Sequence, residues 1–373
     1  MVQAINIHSL IELALQCKAS DIILKADAVP AFRVDGAVVL SSLPTIASDQ
    51  IRELAYEILY SCARDRMLSN PDEMDNTERL MQQLDRQDEL DVVFTIPNRV
   101  RMRANLFLER GTIGIAIRIM QLHPGTLEHL NLPLVLKRIA LEPHGLIIIT
   151  GPTGSGKTTT LASIIEEINR HKSKNIFTIE DPIEYVFSDR LSIIHQREVG
   201  RDTTSFSAAL RSVMRQTPDV IAIGELRDRE TMEVALSASE RGHMVLTTLH
   251  TTSAANTLDR IVHSFPENLR TQICEQISSS LLCITSQRLL PHASGSGRIP
   301  AVEVLVNSPT VRKHLEMGDT HDLPNLMRDG SHFGMNTMNQ ALAQLVEKQC
   351  VQESTALSFS LNPSELRQTL RQQ

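Results

Sequence analysis

Tryptophan is absent from the 373 residues and the aromatic share is 3%, so any core must be built from Leu, Ile, Val, Met and Ala. Cysteine is scarce: Cys17, Cys62, Cys274, Cys283 and Cys350 are scattered, odd in number and form no CxxC pair. That excludes a disulfide framework and a cysteine zinc site, and a reducing compartment is the simplest setting. No apolar run approaches the roughly 18 residues of a membrane span. The opening MVQAINIHSLIELALQCKASD lacks the basic lead and small-residue cleavage site of a signal peptide, which points to the cytosol. An excess of positive charge is missing too. A net charge of −7 and a pI near 6 argue against a chain-wide electrostatic hold on nucleic acid.

What is present is an ordinary soluble composition, 42% hydrophobic and 22% charged, with room for two domains. Helical spacing of Ile7, Leu10, Ile11 and Ala14 gives way to a strand-like run at Ile22–Leu24. PAFRVDGAVV reads as a hairpin turning at Asp35-Gly36, and Ser48 is a candidate N-cap for an amphipathic helix. The acid-rich residues 69–91 read as an exposed loop followed by a solvated helix. Strand patterns resume in DVVFTI and RVRMRANLFLERGTIGIAIRIM. Residues 121–133, with Pro124-Gly125 and Pro133, end this β-rich part and read as a linker. Beyond it, GLIIIT, TTTLASIIEEINRHK, IFTIED, FSAALRSVMRQ, DVIAIGE, RETMEVALSASERG and HMVLTTL alternate strand and helix. That succession argues for a parallel sheet with helices on both faces. The last hundred residues read as mostly helical, with Met335, Met338, Leu342 and Leu345 on one face.

LIIITGPTGSGKTTTLASII carries the full phosphate-loop pattern, Gly151-x-x-x-x-Gly156-Lys157-Thr158, after a buried-type strand and before an amphipathic helix. Its glycines let the backbone fold tightly, so that N–H groups and the helix N-terminus converge on phosphate oxygens. Lys157 suits the β- and γ-phosphates, and the Thr158 hydroxyl suits Mg²⁺. Two further strands end in acid: IFTIEDPIEY delivers Glu180, Asp181 and Glu184, and DVIAIGELRD delivers Glu225 and Asp228. Parallel strands present ligand-binding residues at their carboxyl ends, so these acids share an edge with the phosphate loop. Glu225 is the candidate general base for in-line attack by water. Gly224 stands where the Mg²⁺-holding Asp of this strand is usual, leaving metal support to Thr158, water, or the Glu180 and Asp181 group.

Two histidines bracket the next strand, GHMVLTTLHTTSAANTLDR. His250 falls at its carboxyl end, where a hydrogen-bonding group would distinguish ATP from ADP. His243 falls at the opposite end and reads as structural. Seven residues along a strand keep the two imidazoles from sharing one zinc ion.

These four stretches together resemble the secretion-ATPase superfamily. TIEDPIEY looks like its Asp box, IGELRD like its atypical Walker B, in which the Gly is usual, and GHMVLTTLHTTSAANTLDR like its His box. ASDIIL with FRVDG is similar to the family's PAS-like amino-terminal domain, and RVRMRANLFLERG to its arginine-bearing strands. The resemblance runs from about residue 5 to residue 350. It is most specific for the type IV pilus retraction ATPases, the PilT/PilU group. RDRETMEVALSASERGH and the tail HDLPNLMRDGSHFGMNTMNQALAQLVEKQ lean towards the accessory, PilU-like branch. Neither an additional amino-terminal domain nor a four-cysteine motif is present, which favours retraction over assembly. Departures are Ile23 for an expected His, Asp27 for a usual Gly, and TVRKHLEMGD, which keeps Arg312 of the retraction-associated segment.

The resemblance implies an α/β protein: a PAS-like α+β domain at 1–122, a linker at 123–133, and a RecA-like P-loop ATPase domain at 134–373. The last has a mainly parallel sheet and a helical carboxyl-terminal part. It further implies that Gly151, Pro152, Thr153, Gly154, Ser155, Gly156, Lys157, Thr158 and Thr159 bind ATP and Mg²⁺, with Thr158 and Asp181 at the metal. Glu225 is then the catalytic glutamate, and Glu180 and His250 support water and γ-phosphate. Arg101, Arg103 and Arg118 match arginines that act across a subunit boundary, where a planar fork neutralises phosphoryl charge. Ion pairs with the acidic segment are the structural alternative for each.

The expected protein is a cytoplasmic homohexamer at the inner-membrane face of a pilus machine, peripheral to the membrane. Its expected partners are a pilus platform protein and a paralogous retraction ATPase. The rivals are an accessory subunit that co-assembles with a principal retraction ATPase and hydrolyses little alone, a related secretion or DNA-uptake motor, and a nucleic-acid motor. The acidic balance and the lack of a basic, aromatic-studded face disfavour the last.

Overall fold

A computed structural model describes residues 6–34, 36–66, 74–87, 89–96, 100–120 and 124–372. The chain divides into two compact units, Met1–Leu122 and His123–Gln373. Among the described residues no helix is long and apolar enough to cross a membrane.

The first unit holds helix α1 (Ile7–Gln16), strands β1 (Asp21–Lys25), β2 (Ala31–Val34) and β3 (Ala37–Leu40), then helices α2 (Ser48–Arg66) and α3 (Met74–Gln87). Strands β4 (Glu89–Ile96), β5 (Val100–Glu109) and β6 (Thr112–Met120) complete it. The six strands form one antiparallel sheet in the order β3-β2-β1-β6-β5-β4. Period-2 alternation sends Ile22, Leu24, Phe94, Met102, Ala104, Ile115 and Ile117 to one face, where α1, α2 and α3 cover them. The β2–β3 hairpin forms as its pattern requires, with Arg33 opposite Val38; Asp35 lies outside the described residues. Helix α2 begins at Ser48 itself, one residue beyond a cap position, and the Gln50 side chain accepts the Ala47 N–H at 3.0 Å. Helix α3 is not simply solvated. Thr77, Met81 and Leu84 are buried, a spacing of three to four that gives an acid-rich helix one apolar seam. The expected loop at 69–73 and the first linker residues, 121–123, lie outside the described residues.

The second unit opens with α4 (Val135–Ala140), β7 (Gly145–Thr150), α5 (Lys157–His171), β8 (Asn175–Glu180) and β9 (Ile193–Glu198). Next come α6 (Phe206–Val213), β10 (Val220–Ile223), α7 (Arg229–Glu240), β11 (Met244–Leu249), α8 (Ala254–His263) and α9 (Glu267–Ser280). Strands β12 (Leu281–Pro291) and β13 (Arg298–Val306) precede the closing helices. These are α10 (Pro309–Glu316), α11 (Leu323–Asp329), α12 (Met338–Glu347), α13 (Glu353–Phe359) and α14 (Pro363–Gln372). The sheet order is β13-β12-β7-β11-β10-β8-β9, parallel throughout except for the β12–β13 hairpin.

β7 is buried on both faces, as the apolar run Leu146–Ile149 in a parallel sheet requires. Leu146 and Ile148 enter the core shared with α6, α7, α8 and α9, while Ile147 and Ile149 enter the core under α4 and α5. Burying each such Ile contributes about 1.5–3 kcal/mol, which fixes the strand whose end carries the phosphate loop. Leu127 and Leu132, from the stretch read as a linker, are buried in the second of these cores.

The structure departs from the sequence pattern at three places. Residues 281–306 are not helical but form the β12–β13 hairpin, and the helices of the tail begin only at Pro309. LLCITSQRLLP hides its strand character because Thr285, Ser286 and Gln287 are buried polar residues, which breaks the usual alternation. Edge strand β9 has no counterpart in the sequence pattern; its residues are half-exposed or exposed, so no apolar stripe marks it. Finally, Met335 precedes α12 and packs in the α6–α9 core, whereas Met338 and Leu342 join a separate cluster with Leu290, Val351 and Leu366.

Candidate active site

The carboxyl ends of β7, β8, β10 and β11 lie at one edge of the sheet, since Thr150 is in register with Leu249, and Ile223 with both Ile179 and Thr247. The phosphate loop, the acids and His250 all hang from that edge.

The loop Gly151–Gly156 leaves β7 and enters α5, whose N-cap Gly156 has φ +89°. Gly151 has φ +145°, and a Cβ there would strike the Gln287 carbonyl and the Ser155 side chain, so only glycine fits. Lys157 is buried, and its Nζ donates to the Gly151 and Pro152 carbonyls at 2.9 and 3.1 Å. Burial holds its pKa below the ordinary lysine value, with Glu225 and Glu184 opposing the shift. From β12, Gln287 donates through Nε2 to the Ser155 carbonyl at 2.6 Å and accepts the Thr160 hydroxyl at 2.9 Å. The loop is therefore propped by a neighbouring strand as well as by its own glycines.

His250 lies one residue beyond β11, 3.3 Å through Nδ1 from Lys157 Nζ and 3.3 Å through Nε2 from Glu225 Oε1. A lysine ammonium can only donate, so Nδ1 accepts and Nε2 carries the proton shared with Glu225. The other Glu225 oxygen accepts from Arg227 Nε at 2.9 Å, and Arg227 reaches Asp181 at 3.3 Å. Lys157, His250, Glu225, Arg227 and Asp181 thus form one continuous polar chain.

Gly224 also has a steric reason. Its N–H donates to the Ile179 carbonyl at 2.8 Å, and a Cβ would sit 3.2 Å from that oxygen, so an Asp would be crowded. Glu180 is buried; the Thr178 hydroxyl and Gln196 Nε2 donate to its Oε1 at 2.6 and 3.0 Å. Burial nevertheless raises its pKa above the carboxylate range. Asp228 caps α7 by accepting the Thr231 N–H, the structural role open to an acid at a helix start. His243 likewise is structural, its Nδ1 2.8 Å from the Pro218 carbonyl.

The donors suit a nucleotide and Mg²⁺. Ser155 Oγ is buried with no partner in the loop, and Thr158 lines a small cavity with Thr178, Glu180 and Tyr185. Hydroxyl and carboxylate oxygens are the hard ligands that Mg²⁺ takes beside phosphate and water. Tyr185 fixes the neighbouring Thr159 hydroxyl at 2.9 Å. Asp181, expected at the metal, is partnered by Arg227.

The expected arginines lie in the first unit. Arg103 and Arg118 stand opposite each other across β5 and β6, where Asp91 is 3.3 Å from Arg103 and Asp21 is 3.0 Å from Arg118. Arg33 reaches Asp21 from β2 at 3.6 Å, adding a third cation that the sequence pattern does not single out. Arg101 is buried and donates to the Thr95 hydroxyl at 3.2 Å. Asp91, at the end of the acidic segment 69–91, pairs with Arg103.

Gln287, Arg227 and Tyr185 escape a reading of the sequence. Arg227 stands two residues from Glu225 and Tyr185 closes TIEDPIEY, so proximity to the acids was the available signal. Gln287 had none beyond a polar residue inside an apolar strand.

Residues 3–354 match the family model for Type II/IV secretion system proteins. The chain is 37% identical over 351 residues to the type IV pilus retraction ATPase PilT of Pseudomonas aeruginosa, covering 94% of this chain and 97% of that relative. It is 35% identical over 360 residues to the type IV pilus ATPase PilU of the same organism, covering 96% and 90%. A crystal structure of the pilus retraction motor PilT with bound ADP superposes with a TM-score of 0.85 at 39% identity, covering 98% of this chain and 99% of that one. The two identities, 37% and 35%, are close enough that they do not separate the PilT-like from the PilU-like branch. The chain belongs to the Type II/IV secretion system protein family.

Proposed function

We propose that this chain is a Mg²⁺-dependent P-loop ATPase that works as a homohexameric ring and drives retraction of type IV pili. The observation that carries the reading is the polar chain from Lys157 through His250 to Glu225 at the sheet edge that bears the phosphate loop.

In this reading the backbone N–H groups of Gly151–Thr159 and the N-terminus of α5 hold the phosphates of ATP. Lys157 exchanges its loop carbonyls for phosphate oxygens. Thr158 and the buried Glu180, which line one small cavity, together with Asp181 next to Glu180 in the chain, would hold Mg²⁺, which when bound supplies positive charge against the phosphates. Glu225 orients the attacking water and accepts its proton at a carboxylate oxygen. His250, anchored on Glu225 through Nε2, reports the γ-phosphate. His250 and Arg227 each hold one Glu225 oxygen, which fixes the orientation of the base.

Arg101, Arg103 and Arg118 act on the nucleotide of a neighbouring subunit. Two arginines set directly across adjacent strands repel each other, and one carboxylate apiece leaves donors to spare for an external anion. The ring sits at the cytoplasmic face of the inner membrane, against the pilus platform protein, with a paralogous retraction ATPase as a further partner. The division into a PAS-like domain at 1–122, a linker at 123–133 and an ATPase domain at 134–373 belongs to the same reading.

A second reading, an accessory subunit that hydrolyses little alone, draws on the 35% identity to PilU. The rate of the purified chain separates the two. Twitching in a strain relying on this chain alone tests retraction; motility is expected, and its loss despite full ATPase activity contradicts that assignment.

A further inference from the structure

Glu303 is a buried carboxylate on β13 that takes no part in the chemistry at the phosphate loop. Its two oxygens are divided between two helices. Oε1 accepts the N–H of Ala254, the first residue of α8, at 2.8 Å, and Oε2 accepts the N–H of Met338, the first residue of α12, at 3.3 Å. Both helices also have side-chain N-caps, Ser253 and Thr337, which take the Asn256 and Gln340 N–H groups, so Glu303 serves a different N–H in each first turn.

The position of α8 matters because its first residue follows His250 by four. Residues 250–253 are the whole connection from β11, and they are gripped at several points. Thr251 N–H donates to Thr150 Oγ1 at 2.9 Å, and Arg260 donates to the His250 carbonyl at 3.2 Å. Ser286 donates to the Thr252 carbonyl at 3.1 Å. Ser286 and Glu303 are directly paired residues of β12 and β13. One cross-strand pair therefore holds both ends of the Thr252–Ala254 turn, one by donating and one by accepting.

The anchoring of Glu303 is itself elaborate. Arg288, two residues beyond Ser286, attracts the carboxylate, and its guanidinium donates to the Phe359 carbonyl at the end of α13. Burial pushes the Glu303 pKa above the ordinary carboxylate value, and the Ala254 and Met338 N–H groups and Arg288 oppose that shift.

We propose that Glu303 is a positioning residue for ATP hydrolysis, holding the His250 loop in register with the phosphate loop by tying α8 to the start of α12. The inference rests on the reading of His250 as the γ-phosphate sensor. ADP has no γ-phosphate, so its binding is indifferent to Glu303, whereas turnover of ATP depends on it.

The test is Glu303→Gln in the full chain, alone and combined with His250→Ala, read as kcat, KM and ADP affinity. Gln keeps the shape but offers one acceptor oxygen and turns an NH₂ group towards the other N–H. We expect kcat to fall about tenfold, ADP affinity to stay within about twofold, and the fall to vanish when His250 is already Ala. If Glu303→Gln lowers kcat by the same factor in both backgrounds, or weakens ADP as much as it slows turnover, Glu303 is only structural and the inference is overturned. If His250→Ala alone turns over like the parent chain, the sensor reading falls first. Should Glu303→Gln fail to fold, Ser286→Ala removes the opposite grip on the turn and leaves both caps in place. A fall in kcat of about threefold that disappears with His250→Ala supports the inference; an additive fall overturns it.

Discussion

His250 Nε2 lies 3.3 Å from Glu225 Oε1, and the same imidazole meets Lys157 through its other nitrogen. The residue that would activate water and the residue that would grip phosphate are therefore one side chain apart. Glu225→Gln keeps the size and the contact with His250 but cannot take a proton. Turnover should fall by about 10²–10⁴-fold while ATP still binds, measured by steady-state phosphate release and by nucleotide titration. Persistent turnover would mean that another group is the base.

Arg103 and Arg118 face each other with one carboxylate apiece. Replacing both by Ala should cost little stability, because exposed ion pairs are worth about 0–1 kcal/mol. Turnover should nonetheless fall by an order of magnitude or more. Mixing this variant with Glu225→Gln subunits should restore part of the rate, since each then supplies what the other lacks. No recovery on mixing would argue that the arginines do not act across a boundary.

Gln287 is buried and satisfies the Ser155 carbonyl and the Thr160 hydroxyl together. Gln287→Leu leaves both without partners at a cost of about 1–3 kcal/mol. Thermal unfolding should report that loss, and nucleotide affinity should drop with it because the phosphate loop loses its prop. An unchanged affinity would show that the loop's glycines and Lys157 suffice.

Glu180 supplies a pH dependence. Burial raises its folded pKa above the ordinary carboxylate value, with the nearby Glu184 pushing the same way and Thr178 and Gln196 opposing. The unfolded chain therefore releases this proton first as pH rises. Stability from this group is present below the ordinary carboxylate range and is lost as pH climbs through the raised pKa. Glu180→Gln should flatten the fall in unfolding free energy across that window; an unaltered slope would show that the proton is not shared unequally between the two states.

Much of this was readable in the residues, for reasons that differ by site. The phosphate loop was legible because its chemistry demands fixed types at fixed spacing, and β7 because the short apolar run Leu146–Ile149 directly before it suits a doubly buried strand. Glu225 and His250 followed from falling at strand ends, which the parallel sheet gathers at one edge. What was not legible depends on partners distant in sequence. Gln287 meets Ser155 across 132 positions, and Glu303 meets Ala254 across 49, so neither leaves a local pattern. The β12–β13 hairpin was obscured by the same buried polar residues that serve the site. Asp91 shows how a local charge run misleads: it pairs with Arg103 from the neighbouring strand rather than from a solvated helix.

The most direct test of the central claim is the steady-state Mg²⁺-ATPase rate of the purified chain beside Lys157→Ala. The account predicts turnover that disappears with the lysine and with chelation of Mg²⁺. Equal rates in the two proteins would contradict it, because the phosphate loop would then not be where ATP is hydrolysed.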